Sequence, residues 1–138
     1  MKPEYIIIHH SLTEDSGTVS WGAIRKYHMA KGYVDIGYQF GIELIGDQME
    51  VLAGRMPDQW GAHTLGGYNT KSIGICLIGN FNEAPPPKEQ TAKLVELTRY
   101  LMRAYGISRT NVIGHREADQ NRTCPGKFFD MDAFRKSL

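Results

Sequence analysis

The sequence has two cysteines and six prolines in 138 residues, three of the prolines consecutive, and no apolar run of more than a few residues. Two thiols cannot build the disulfide framework of a small secreted scaffold, although a single Cys76–Cys124 bridge is open to them. The apolar stretches at residues 5–8 and 73–78 are far short of the roughly 20 residues that span a bilayer, so no membrane partner is expected. The start Met-Lys-Pro-Glu lacks the apolar core of a signal peptide, and accumulation in the cytoplasm is the expectation. Neither sign of charge dominates: 16 basic residues stand against 15 acidic ones, a net +1. That balance supplies no general attraction to nucleic acid or to an anionic surface. Repeats and low-complexity tails are also missing. What is left is the size of one domain, residues 1–138, with one core and a monomer as the default.

Hydrophobic patterning orders the rest. Residues 5–10, Tyr-Ile-Ile-Ile-His-His, read as a strand buried on both faces, with Ile7 and His9 on one side and Ile8 and His10 on the other. After a polar turn around residues 14–17, Thr18 or Ser20 can cap a helix over residues 21–31. In it Trp21, Ile24, Tyr27 and His28 recur at helical spacing and should face the core, His28 as a packing residue with a satisfied hydrogen bond. Two alternating runs, residues 37–45 and 48–54, flank Gly46-Asp47 and predict a β-hairpin with Tyr38 at its entry. Residues 72–79 read as a central strand in which Cys76 is a buried small hydrophobe. Pro85-Pro86-Pro87 must lie in a surface connection. Leu94, Leu97, Leu101 and Tyr105 mark the core stripe of a helix over residues 88–105 that Gly106 stops. A short strand at 111–114 and a final helix over about 131–136, capped by Asp130, complete the chain. This order predicts an α/β fold with a central mixed β-sheet flanked by helices.

Two polar stretches stand out from that framework. In residues 114–126 an imidazole, His115, and a thiol, Cys124, lie nine residues apart on a polar loop just past a strand. His9 can complete a set of two histidines and one cysteinate, with His10 as the alternative. Three such ligands leave a tetrahedral zinc ion one open position, the arrangement of a catalytic site, and this reads as a hydrolase. Asp119 as a fourth ligand would make the site structural instead. Glu117 reads as a residue that orients His115 or pairs with Arg116. The second stretch is the long connection 55–72, whose Trp60, His63, Tyr68 and Asn69 suit a polar ligand.

The strings Ile7-Ile8-His9-His10-Ser11, Asp35-Ile36-Gly37-Tyr38-Gln39-Phe40, Ala62-His63-Thr64, Gly67-Tyr68-Asn69-Thr70-Lys71-Ser72-Ile73-Gly74-Ile75 and Gly114-His115-Arg116-Glu117 with Cys124-Pro125-Gly126 strongly resemble the type 2 N-acetylmuramoyl-L-alanine amidases. That superfamily includes the peptidoglycan recognition proteins and small phage endolysins. The resemblance covers residues 5–134. It implies Zn2+ held by His9, His115 and Cys124, and hydrolysis of the amide between muramic acid and L-alanine of the stem peptide, hence action on the cell wall with peptidoglycan or a muropeptide as partner. It implies that Tyr38 assists the chemistry and that His63 and Asn69 belong to the substrate groove, where Trp60 and Thr123 are also assigned. Where the family often has a lysine or threonine shortly before the ligand cysteine, this chain has Arg122 and Thr123. Arg122 can offer charge and hydrogen bonds but never a proton. The rival expectations are a module that binds peptidoglycan without cleaving it, and a regulator that binds a phage RNA polymerase.

Overall fold

The structure, a computed structural model, describes residues 1–13 and 20–138. The expected turn at residues 14–17 and the cap at Thr18 lie outside the described residues. The frame is a five-stranded mixed sheet of β1 (Tyr5–His10), β2 (Phe40–Ile45), β3 (Gln48–Ala53), β4 (Ser72–Leu77) and β5 (Val112–Gly114). Their order is β3-β2-β4-β1-β5. β1 runs parallel to both β4 and β5, and β2 parallel to β4, while β2 and β3 form the antiparallel hairpin around Gly46-Asp47. The helices are α1 (Trp21–Ala30), α2 (Lys88–Tyr105), the single turn α3 (His115–Ala118) and α4 (Met131–Lys136).

Each face of the sheet has its own partner, and β4 shows why. Its sequence Ser-Ile-Gly-Ile-Cys-Leu alternates large and small, so with period two all the large side chains fall on one side. That side joins Ile6, Ile8, Ile42 and Val112 in the main core, which Leu94 and Leu101 of α2 and Met131 and Phe134 of α4 cover. The other side carries Ser72, Gly74 and Cys76 and leaves space. Trp21 of α1, with Ile36 and Ile78, packs around Cys76 in a smaller cluster that Tyr38 adjoins.

Local chemistry marks the start of α1 and the end of α2. The Ser20 hydroxyl accepts from the Ala23 N–H, and the buried Glu43 carboxylate accepts from the Trp21 N–H at 2.6 Å, placing negative charge at the positive end of α1. α2 ends on Gly106 in the left-handed conformation, which returns its N–H to the Met102 carbonyl. Asp130 caps α4 through the Ala133 N–H at 2.9 Å. Tyr27 departs from the expected core stripe and is 64% exposed, because α1 covers only the small-residue side of the sheet and Trp21 is its one buried residue. His28 behaves as expected, its Nδ1 accepting from the Gly37 N–H at 2.9 Å.

Gln90, buried at the start of α2, donates from Nε2 to the carbonyls of Ile42 and Ile78 at 2.9 and 3.1 Å. Gln90→Ala leaves both carbonyls a donor short. Denaturant unfolding should therefore show a loss of about 1–3 kcal/mol.

Candidate active site

The sheet delivers His9 at the next-to-last position of β1 and His115 just past the end of β5, two neighbouring parallel strands, so both imidazoles leave the same edge of the sheet. Their rings lie 4.6 Å apart between centroids. His115 opens α3 rather than sitting in a loop as expected; the Glu117 carboxylate accepts from the Gly114 N–H at 2.8 Å and closes that turn. Glu117 also pairs with Arg135 at 2.8 Å and not with Arg116. Arg116 instead spans the loop that carries the thiol, donating to the carbonyls of Gly126 and Phe129, both at 2.7 Å, while its own N–H donates to the Cys124 carbonyl. Asn82 adds a second tie through the Lys127 N–H and the Thr123 hydroxyl. These bonds present Cys124 Sγ to His9.

His9, His115 and Cys124 bring their ligand atoms within 4.8 Å of one another. Cys124 Sγ lies 3.6 Å from His9 Nδ1. A tetrahedron with Zn–S of about 2.3 Å and Zn–N of about 2.0–2.1 Å has an S···N edge of about 3.6 Å, so this pair is spaced to share one zinc ion. Asp119 stands outside the group, its carboxylate accepting from the Asn121 N–H and the Arg122 guanidinium. Among the described residues the set has three protein donors and an open side. Both cysteines are free thiols, so the alternative of a Cys76–Cys124 disulfide is not realised.

The electrostatics suit a cation. Burial, reinforced by His63, His115 and His10, holds the His9 imidazole well below its ordinary pKa; burial and Arg122 lower that of His115, and burial foremost brings His63 down to about 3. Their nitrogens are thus neutral donors at pH 7. Burial pushes the Cys124 thiol up to about 12, against the opposing pull of the His10 N–H, Arg116 and Arg122. A thiol gives up its proton on coordinating a divalent cation, so the same side chain can serve as an anionic ligand despite its raised pKa.

The donors open on a cleft of about 360 Å³ that Tyr38, His63, Arg122 and Thr123 also line. The Tyr38 ring lies 5.1 Å from that of His9, and its hydroxyl lies against Cys76 with Cys124 nearby; burial first, then these thiols, raise its pKa far above the usual value, so it is a neutral donor. Arg122 is mainly exposed and rests on Asp119 at 3.4 Å. His10 points to the opposite side, where its Nδ1 accepts from the Phe81 N–H; burial, then Arg116, lowers its pKa to about 4. The other groove residues are scattered. Trp60 is 64% exposed and lies outside the cleft lining, and Asn69 turns its side-chain oxygen to the backbone N–H groups of His63 and Thr64, each at 2.8 Å. Thr64, which sequence reasoning left without a role, is buried with its hydroxyl 3.2 Å from His9 Nε2. The signal available for it was its place directly after His63.

A central mixed sheet flanked by helices is the architecture that this chain shares with amidase and peptidoglycan-recognition domains. The solved N-acetylmuramoyl-L-alanine amidase LysC from Clostridium intestinale superposes with a TM-score of 0.87 at 31% identity, over 99% of this chain and 85% of that one. The endolysin of Klebsiella phage KP32 is 31% identical over 91% of this chain and 81% of its own length. A peptidoglycan recognition protein of Trichoplusia ni is 36% identical over 83% of this chain; the match spans 64% of that protein, less than two thirds. The family model described as N-acetylmuramoyl-L-alanine amidase matches residues 1–127, and the chain belongs to that family.

Proposed function

We propose that residues 1–138 form one catalytic unit that cleaves the amide between the lactyl group of N-acetylmuramic acid and the L-alanine of peptidoglycan stem peptides, with zinc held by His9, His115 and Cys124. The observation that carries this reading is the convergence of those three donors, their ligand atoms within 4.8 Å of one another, on a cleft that Tyr38 lines. Zinc bound there supplies Lewis acidity and a nucleophile drawn from water near neutral pH. The protein's own groups stabilise the charge that develops, and the departing L-alanine amine takes up the proton that the attacking water gives up. Tyr38 keeps its proton and donates it in a hydrogen bond where negative charge grows on the carbonyl oxygen. Arg122 adds a permanent positive charge at the rim, and its contact with Asp119 leaves the other guanidinium nitrogens for the substrate. An adjoining hollow of about 330 Å³ along α1, lined by Ala23, Ile24, Tyr27 and His28 and sharing Tyr38, gives the rest of the muropeptide a place to lie. Cell-wall peptidoglycan is accordingly the partner.

Mass spectrometry of a muramyl tripeptide incubated with zinc-loaded and with chelator-stripped protein tests this directly. Free tripeptide with zinc alone is the expected result. Intact substrate in both samples, with binding retained, identifies a recognition module and overturns the catalytic reading.

A further inference from the structure

The loop after β3 buries an imidazole and a hydroxyl behind His9, on the side away from Cys124. His63 Nδ1 lies 3.0 Å from His9 Nε2, and the Thr64 hydroxyl bridges the two, 2.9 Å from His63 Nδ1 and 3.2 Å from His9 Nε2. The placement is built rather than incidental. One oxygen of Asn69 holds the backbone of both residues, and the Asn69 carbonyl accepts from the Gly61 N–H. The His63 ring is so close to Gly61 and Gly74 that a Cβ on either would stand 2.4 or 2.6 Å from it. Any larger residue there would expel the ring.

The direction of these hydrogen bonds decides whether His9 can bind a metal. Its Nδ1 faces Cys124, so ligation through that atom requires the proton on Nε2. Nε2–H then needs an acceptor, and an unprotonated His63 Nδ1 at 3.0 Å provides the nearer one, with the Thr64 oxygen at 3.2 Å as the second. When His63 Nδ1 accepts, the His63 proton sits on Nε2, which is buried with the Ser72 backbone as its neighbour. The opposite assignment, with His63 Nδ1–H donating to His9, would put the His9 proton where the metal belongs.

We infer that His63 and Thr64 are positioning residues that select the metal-binding tautomer of His9, with Asn69 as the clamp that holds them. The inference rests on the zinc site proposed above. Partners of this kind typically change metal affinity by about 10- to 100-fold.

The test is made on the zinc-loaded protein without any assay of hydrolysis. Side-chain 15N spectra should show His9 protonated at Nε2 and metallated at Nδ1, and His63 protonated at Nε2. In chelator competition His63→Phe should weaken zinc binding about 10- to 100-fold, while His63→Asn, whose amide oxygen can stand where Nδ1 was, should stay within about 3-fold of the parent. Thr64→Val should fall between them. A His63 that carries its proton on Nδ1 in the zinc-loaded protein, or a His63→Phe variant with parental affinity, overturns the inference while leaving the zinc site standing. A parent protein that binds no zinc overturns the site itself and the inference with it.

Discussion

Cys124→Ser should abolish zinc retention and amide hydrolysis together, and it should do so without unfolding the protein. The thiol is the one ligand of the three that can contribute a full negative charge; serine keeps the size but its hydroxyl does not ionise in this range, so two neutral imidazoles would be left to hold a dication. The loss should exceed the roughly 100-fold that changes behind a ligand cost. The loop itself is held by bonds that serine leaves alone, those from Arg116 to Gly126 and Phe129 and from the Arg116 N–H to the Cys124 carbonyl. Metal analysis after gel filtration, tripeptide release by mass spectrometry and a thermal melt of the metal-free protein separate the three effects. A variant that keeps stoichiometric zinc refutes the ligand assignment. One that loses zinc yet hydrolyses at the parental rate refutes the metal requirement.

The second large effect separates turnover from metal binding. Tyr38→Phe removes a single oxygen from the wall of the cleft and should keep zinc at parental affinity while lowering kcat by about a hundredfold to a thousandfold, the range for one donor to a developing oxyanion. The ring stays where it was, packed beside His9 and Trp21. The hydroxyl lies against Cys76, a thiol with the Leu77 carbonyl at 3.9 Å, so its removal strands no strongly polar group. Steady-state kinetics on a muramyl peptide, paired with zinc analysis of the same preparation, reads the result. Unchanged kcat would remove Tyr38 from the chemistry; a fall in zinc content would make it a structural neighbour of the ligands instead.

Local pattern carried much of this molecule. Residues 88–105 have an apolar repeat of three and four and a terminal glycine, local signals that suffice to set the bounds the helix has. The Gly46-Asp47 hairpin and the buried strand Tyr5–His10 follow in the same way from period-two patterning. Signals that depend on a partner were less legible. The exposure of Tyr27 was hidden because helical spacing names a face without saying how far a neighbour covers it. The Arg116 pairing expected as one alternative for Glu117 is not made, because Arg135, 18 residues away in sequence, reaches the carboxylate while the adjacent Arg116 turns to carbonyls of the Cys124 loop.

The candidate site divides along the same line. Which residue types are able to bind zinc, and that His9 and His10 must point to opposite sides of a strand, follow from the sequence alone, since side-chain chemistry and the alternation of a strand are local properties. Which of the two histidines meets His115 and Cys124 depended on the pairing of β1 with β5 and on the loop that Arg116 ties down, contacts between segments more than a hundred residues apart. The inward turn of His63 was likewise a tertiary outcome. It needs the bare backbone of Gly74 on one strand and the side chain of Asn69 in the short 3-10 turn Tyr68–Thr70 at the same point in space, and only the assembled sheet brings them there.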